Sequence, residues 1–315
     1  MPNSKSRNRS AERKAYIITG PTSGIGRHTA LEVAKHATVV LVGRDRGKLD
    51  ALQEELQEKG GNAISVVCDL SDISSVQRAA AEIVRLNLPL AGLVNNAGIM
   101  QTRPTKNARG WDMSYATNHL GPFVLTEALI PHLPDGANIL FVVSAVEDPE
   151  RKPAVAAGFR GARYISAEAS ARGEWEPGGS AKPGFDAYAT SKQAILAATL
   201  AFARETPRLH ISAIEPGFNP STGLGAGDAS AFVRVIQKFV VPFVVPLLVP
   251  FIKILSTSKR AAREITKILT DTSGRTGVYY DEGGHPMQGS VLVRDQKFQN
   301  RVIAETRSFL AEHSE

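Results

Sequence analysis

Short apolar runs alternate along this chain with longer stretches in which apolar residues recur every three or four positions. The runs Ala15–Thr19, Thr38–Gly43, Ala63–Cys68, Leu90–Val94, Asn138–Val143 and Leu209–Ile214 read as strands, and Gly277–Tyr280 as a last one. Thr38–Gly43 is apolar almost throughout, the pattern of a strand covered on both faces. A helix is expected from Arg27 to about His36. Leu49, Leu52 and Leu56 mark one face of the next helix. Ser71 is placed to cap a helix carrying Ile73, Val76, Ala80, Ile83 and Val84 at helical spacing. Further helical patterns run from Trp111 to Leu133, through the apolar stretch after Tyr188, near 258–270, and over 292–312. The last would turn Phe298, Val302, Phe309 and Leu310 inward. The stretch 145–184, rich in Gly, Ala and Arg, shows little periodicity.

Strands alternating with helices predict an α/β fold: a doubly wound, mostly parallel sheet with helices on both sides, in three layers. Crossovers should be right-handed, with ligands at the carboxyl ends of the strands. No linker or composition break appears, so residues 15–315 read as a single domain. Insertions at about 145–184 and 223–257 would form a substrate lid. The 315 residues are 43% hydrophobic and 22% charged, an ordinary globular balance. The net charge of +6 is concentrated at one end. Residues 1–14 carry Lys5, Arg7, Arg9, Arg13 and Lys14 against Glu12 alone, and read as a disordered basic leader. It lacks the apolar core of a secretory signal. With so little excess charge left in the body, a nucleic-acid-binding face is not indicated. The single cysteine, Cys68, excludes an intramolecular disulfide and a cysteine-based zinc site, and fits a reducing, cytoplasmic setting. The apolar run 239–255 is broken by Pro242, Pro246 and Pro250, too short and interrupted for a membrane span. Three readings compete for it: a substrate flap, which ranks first, a peripheral membrane contact, or homodimer packing.

The loop Thr19-Gly20-Pro21-Thr22-Ser23-Gly24-Ile25-Gly26 stands between a strand and a helix, the context that a dinucleotide loop requires. Gly20 permits the tight turn. Gly24 and Gly26 let a pyrophosphate approach the backbone, with Ser23 and Ile25 beside them, at a helix N-terminus where free N–H groups favour anions. Gly43-Arg44-Asp45 ends the second strand, where the adenosine ribose would lie. An arginine there suits a 2′-phosphate and an acidic residue a free hydroxyl. Arg44 comes first, which favours NADP(H); the alternative is that Asp45 takes the ribose. Asp69 and Leu70 end the third strand, where adenine could be read, unless Asp69 only caps the next helix. Asn95-Asn96-Ala97-Gly98 ends the fourth, its small residues allowing close approach to a ribose.

Tyr188 and Lys192, four residues apart, share one helix face. A phenol ordinarily ionises near pH ~10. An ammonium held nearby would lower that value and make the phenol a proton donor or acceptor near neutrality.

Taken together these pieces resemble the short-chain dehydrogenase/reductase family, a Rossmann-fold family. The resemblance covers roughly residues 15–222. It rests on TGPTSGIG at 19–26, Asp69-Leu70, Asn95-Asn96-Ala97-Gly98, Asn118, Ser144, YATSK at 188–192, and Pro216-Gly217. It implies that Tyr188 is the catalytic acid/base and that Lys192 binds the nicotinamide ribose and lowers the tyrosine pKa. It also implies that Ser144 hydrogen-bonds the substrate oxygen, and that Asn118 holds a water relaying protons from Lys192. Gly121-Pro122 is expected to interrupt the helix just after Asn118. Similar enzymes set a hydroxyl after Pro216-Gly217 against the nicotinamide carboxamide. Ser221 and Thr222 both qualify. The sequence departs from the family in having Val143 where a second serine is usual, and in the long interval from Ser144 to Tyr188. Segment 145–184 is expected to wall the site, with Phe159 and Trp175 as contacts, or to be a solvated excursion.

The arrangement is most similar to the retinol-dehydrogenase, WW-domain-oxidoreductase and protochlorophyllide-reductase branch, which implies a bulky apolar substrate, a small hydrophobic molecule rather than a macromolecule. The leading expectation is an NADP(H)-dependent reductase of a carbonyl, reversible as an alcohol dehydrogenase. A carbon–carbon double-bond reductase and a non-catalytic NADPH sensor are the alternatives.

Overall fold

Strand β1 (Ala15–Thr19) divides the core in two: Ala15 and Ile17 join one buried cluster, Tyr16 and Ile18 the other. Strand β2 (Thr38–Gly43) repeats this, with Val40 and Val42 on one face and Val39 and Leu41 on the other. Both faces of the sheet are therefore covered, which is why these strands are apolar without a polar side. The computed structural model describes residues 13–218 and 256–313. The basic leader up to residue 12, Ser221, Thr222, the run 239–255 and nearly all of the expected lid 223–257 lie outside the described residues.

Strands β3 (Asn62–Val67), β4 (Leu90–Asn95), β5 (Asn138–Val142), β6 (His210–Ile214), β7 (Tyr279–Tyr280) and β8 (Pro286–Met287) complete a sheet in the order β3-β2-β1-β4-β5-β6-β7-β8. Every pairing is parallel except β7 with β8. The chain order reverses between β1 and β4. A doubly wound sheet opens its ligand crevice at that point, beyond the carboxyl ends of the strands. Helices α1 (Gly24–Val33) and α2 (Arg46–Glu58) cover one face together with the helix Ser258–Leu269. Helices α3 (Ile73–Arg85), α4 (Gly121–Leu129) and the long α7 (Pro183–Glu205) cover the other with the C-terminal helix Gln296–Glu312.

The α/β expectation holds, with local corrections. Helix α1 begins at Gly24, not Arg27, because Ser23 is extended (φ −154°, ψ 168°) and the helix starts inside the glycine loop. Asp72, not Ser71, caps α3: its carboxylate accepts from Ser74 N–H at 3.0 Å. Ser71 instead donates its N–H (2.9 Å) and hydroxyl (2.7 Å) to Asp69 Oδ1. Gly121-Pro122 does not interrupt its helix. A turn at Met113–Tyr115 widens into a π-turn over Ala116–Leu120 and runs on into α4. Pro122 has no N–H for the carbonyl of Asn118 and its ring would crowd it; the wider turn relieves both. The two-residue β8 is too short to show alternation. The expected helix 292–312 is two, Val291–Arg294 and Gln296–Glu312, parted at an extended Asp295 (φ −76°, ψ 116°) that caps the second.

The stretch 145–184 is folded onto α7 rather than projecting from it. It contains α5 (Lys152–Ala156) and α6 (Ala167–Arg172). Arg163 N–H donates to Thr190 Oγ1 at 2.9 Å, and Ser180 N–H to the Asp186 carboxylate at 3.0 Å. Periodicity is missing there because the anchors are single polar contacts and buried alanines, not an amphipathic stripe.

Candidate active site

The glycine loop between β1 and α1 turns at Gly20 (φ 64°) and Gly24 (φ 52°), conformations that favour glycine. A Cβ at Gly26 would lie 2.2 Å from the Gly20 carbonyl oxygen, so that glycine lets α1 close onto the loop. The loop is tied to β4 by Asn96, whose Nδ2 donates to the carbonyls of Thr19 (2.8 Å) and Gly20 (3.2 Å). Thr19 Oγ1 accepts the N–H groups of Asn96 (2.9 Å) and Ala97 (3.0 Å). Asn95 turns the other way: it is 3% exposed and donates to Thr126 Oγ1 at 2.9 Å. Of the neighbouring asparagines, Asn96 is thus the one at the loop. Composition could not separate them, since strand parity decides which faces the crevice.

The remaining cofactor-side residues lie along the same crevice edge. Ser23 is exposed and its hydroxyl does not cap α1, so the first-turn N–H groups have no side-chain acceptor. Ile25 is buried under the loop. Arg44 is exposed at the end of β2. Asp45 is engaged as the cap of α2, accepting Lys48 N–H at 3.1 Å and pairing with Lys48 Nζ at 3.0 Å. Asp69 does not cap α3; it closes the turn after β3, with Leu70 buried beside it. Gly217 (φ 78°) follows Pro216 at the end of β6. A dinucleotide fits this edge: an uncapped helix N-terminus for a pyrophosphate, and an arginine past β2 with its acidic neighbour already occupied.

At the other side of the switch point, α7 carries Tyr188 (7% exposed) and Lys192 (4% exposed) against the end of β5. The Ser144 hydroxyl, two residues past β5, stands beside the Tyr188 phenol, near enough to favour its ionised form. Lys192 Nζ donates to the Val142 carbonyl at 3.0 Å and lies 5.6 Å from the Tyr188 ring centre. A Cβ on Gly98 would sit 3.3 Å from both Lys192 Nζ and Asn118 Oδ1, so the loop after β4 meets both groups. Asn118 grips that loop. Its Oδ1 accepts Ile99 N–H (2.8 Å) and its Nδ2 donates to the Ile99 carbonyl (2.9 Å) and Ser191 Oγ (3.0 Å). Its amide is therefore committed to the chain.

The expected lowering of the Tyr188 pKa is not found. Burial raises the phenol well above its ordinary value and the Glu215 carboxylate raises it further; only the Ser144 hydroxyl pulls it down. Desolvating the phenolate outweighs the help of the one nearby hydroxyl. Burial lowers Lys192 to about 8, partly opposed by Glu215. Sequence reasoning missed Glu215, although a carboxylate closing an apolar strand just before Pro-Gly is itself a signal. Phe159 stacks on Phe185 (4.3 Å, 10°) and approaches Tyr188 (6.4 Å), so this part of 145–184 does wall the site. Trp175 packs by Gly173, itself near Asp112. His119 is fully buried, held neutral with its pKa at about 3, and bonds Thr306 Oγ1 at 2.9 Å, a structural role.

A doubly wound sheet with a glycine loop on one side of its switch point, and a serine, tyrosine and lysine converging on the other, defines a dinucleotide-dependent class of protein. The chain belongs to the short-chain dehydrogenase/reductase family, whose members are NAD(P)-dependent oxidoreductases. The family model described as short chain dehydrogenase matches residues 14–155. Dehydrogenase/reductase SDR family member 12 of Bos taurus is 31% identical over 214 residues, 67% of this chain and 62% of that protein. Human (Homo sapiens) retinol dehydrogenase 11 is 38% identical over 127 residues, 39% of this chain and 40% of that protein. The chain thus spans less than two thirds of the length of these relatives. A blue fluorescent protein from a metagenomic library, solved in complex with NADPH, has the same fold at 21% identity (TM-score 0.59, covering 86% of this chain and 97% of that one). Among the described residues, no helix is long and apolar enough to cross a membrane.

Proposed function

We propose that this protein is an NADP(H)-dependent oxidoreductase that reduces the carbonyl of a hydrophobic substrate and runs in reverse as an alcohol dehydrogenase. The observation that carries the reading is the convergence of the Ser144 hydroxyl and the Tyr188 phenol beside the buried Lys192, whose Nζ is tied to the Val142 carbonyl. The cofactor supplies the hydride. Negative charge then develops on the substrate oxygen, and two hydroxyls aimed at one point stabilise it. The raised pKa of Tyr188 keeps its proton on at neutrality, the state a donor needs. Lys192, at about 8, stays mostly an ammonium there. The stacked Phe159 and Phe185 next to Tyr188 support an apolar substrate, and a retinol dehydrogenase among the relatives agrees.

The test is Tyr188→Phe, assayed by NADPH absorbance against hydrophobic aldehydes, ketones and quinones. Phenylalanine keeps the packing and removes the proton. Turnover should fall by about 10²-fold or more with NADPH affinity nearly unchanged. Undiminished turnover would remove Tyr188 as the proton donor, and no turnover in the wild type with tight NADPH binding would favour a nucleotide sensor. Product analysis separates carbonyl from carbon–carbon reduction. Arg44 supports the choice of NADP(H), because Asp45 is already occupied by Lys48. Arg44→Ala should therefore weaken NADPH about tenfold or more and leave NADH nearly unchanged. Equal losses for both would remove the arginine from phosphate recognition.

A further inference from the structure

Glu215 directly follows β6, yet it is only 8% exposed. Its oxygens divide between two turns. Oε2 accepts the N–H of Ala145, the residue after Ser144, and Oε1 accepts the N–H of Gly217 at 3.1 Å. Its own N–H donates to the Tyr280 carbonyl at 2.8 Å, fixing it to β7. Burial raises the pKa of this carboxyl, and the two N–H bonds oppose that rise; both partners are donors and an ionised carboxylate is acceptor-only, so the hydrogen bonding suits the charged form. The surrounding titratable groups come from four elements. Tyr188 and Lys192 project from α7, Tyr279 from β7, Arg151 from the turn before α5, and Glu282 from the β7–β8 turn. The nearby Glu147 spends its oxygens on Ser290, accepting its N–H at 2.8 Å and its hydroxyl at 2.6 Å.

We infer that Glu215 is a positioning residue of the active site: its carboxylate clamps the Ser144 turn to the Pro216-Gly217 turn and provides the buried negative charge that faces Lys192 and Tyr188. The clamp aims the Ser144 hydroxyl, because the peptide it holds is the one that follows Ser144. Its charge acts on both proton-handling groups with one sign, favouring the protonated form of the lysine and of the tyrosine. Its effect on turnover rests on the oxidoreductase reading above, whereas its effect on Lys192 does not.

Two variants separate charge from reach. Glu215→Gln removes the charge and keeps one acceptor. Glu215→Asp keeps the charge on a stem one methylene shorter, so both N–H groups cannot be held. In the full chain, the Lys192 ammonium is followed by NMR of ¹³Cε-labelled lysine, assigned by its loss in Lys192→Met. The wild-type midpoint should lie at about 8. It should fall by about 1 pH unit in Glu215→Gln and hardly move in Glu215→Asp. With a substrate in hand, the alkaline limb of kcat for reduction should move to lower pH in Glu215→Gln, since both groups then lose their protons earlier. Glu215→Asp should keep the limb and lose about tenfold in kcat through the slack Ser144 turn. An unmoved Lys192 midpoint in a folded Glu215→Gln, or wild-type kcat in Glu215→Asp, would overturn the inference. If Glu215→Gln does not fold, the kcat of Glu215→Asp decides. Absence of turnover in the wild type would sink the oxidoreductase reading alone, and the lysine midpoint would still judge Glu215.

Discussion

Gly98 has no side chain at the point where Lys192 and Asn118 come within contact of the β4 loop. A methyl group there would stand 3.3 Å from the lysine ammonium and 3.3 Å from the asparagine amide. The ammonium is the freer of the two to move, because Asn118 is locked to Ile99 by two hydrogen bonds. Gly98→Ala should therefore displace Lys192. We expect turnover to fall tenfold or more for a stability loss of only about 1–3 kcal/mol. A kcat measured beside a urea unfolding curve checks this; full activity would mean that Lys192 has room to spare. The glycine loop was legible from residue types alone, because glycine adopts the left-handed φ of 64° and 52° at Gly20 and Gly24 without the strain that other side chains bring. The choice of Asn96 over Asn95 was not, since two asparagines in succession differ only in which face of the strand they occupy.

Helix α4 shows the same dependence one level up. Its first residue, Gly121, packs on the end of β3 so closely that a Cβ would lie 2.2 Å from the Leu70 carbonyl oxygen. That neighbour is backbone and cannot swing aside. Gly121→Ala should cost about 3 kcal/mol or more in urea unfolding. It should also weaken NADPH, because the residues pushed are Asp69 and Leu70 at the adenine edge. A cost under about 1 kcal/mol would show that the helix can slide without harm. In the sequence, Gly121-Pro122 reads as a helix break. The π-turn before it keeps the helix whole. Propensity rules describe an ideal helix, and a single wide turn bypasses them.

For the molecule as a whole, Asp112 ties the helical stretch that begins at Met113 to α6, its N–H donating to the Ala171 carbonyl at 2.7 Å. One carboxylate oxygen accepts Tyr115 N–H at 2.8 Å and the other is buried without a partner. Burial pushes this carboxyl up to about 6. The folded state thus holds the proton more tightly than the unfolded chain does. Stability from this group is present at acid pH and is lost as pH rises toward about 6, then levels off. Asp112→Asn removes that dependence. Urea unfolding should show the wild type losing up to about 3 kcal/mol relative to the variant between pH ~3 and ~7. A difference that does not change with pH would show that Asp112 is not the group responsible.

The alternation of apolar runs with helical stripes was enough to determine a three-layer parallel sheet, because strands buried on both faces have few other ways to be covered. Residue types at strand ends marked the crevice and most of its edge. Only the tertiary structure decided how the groups there act on one another. It brought Glu215 from β6 to the Ser144 turn after β5, 70 positions away in the chain, and set both beside Tyr188. Desolvation depends on everything packed around a group, and no pattern along the chain records it. For that reason a phenol expected to ionise more easily is held firmly protonated instead.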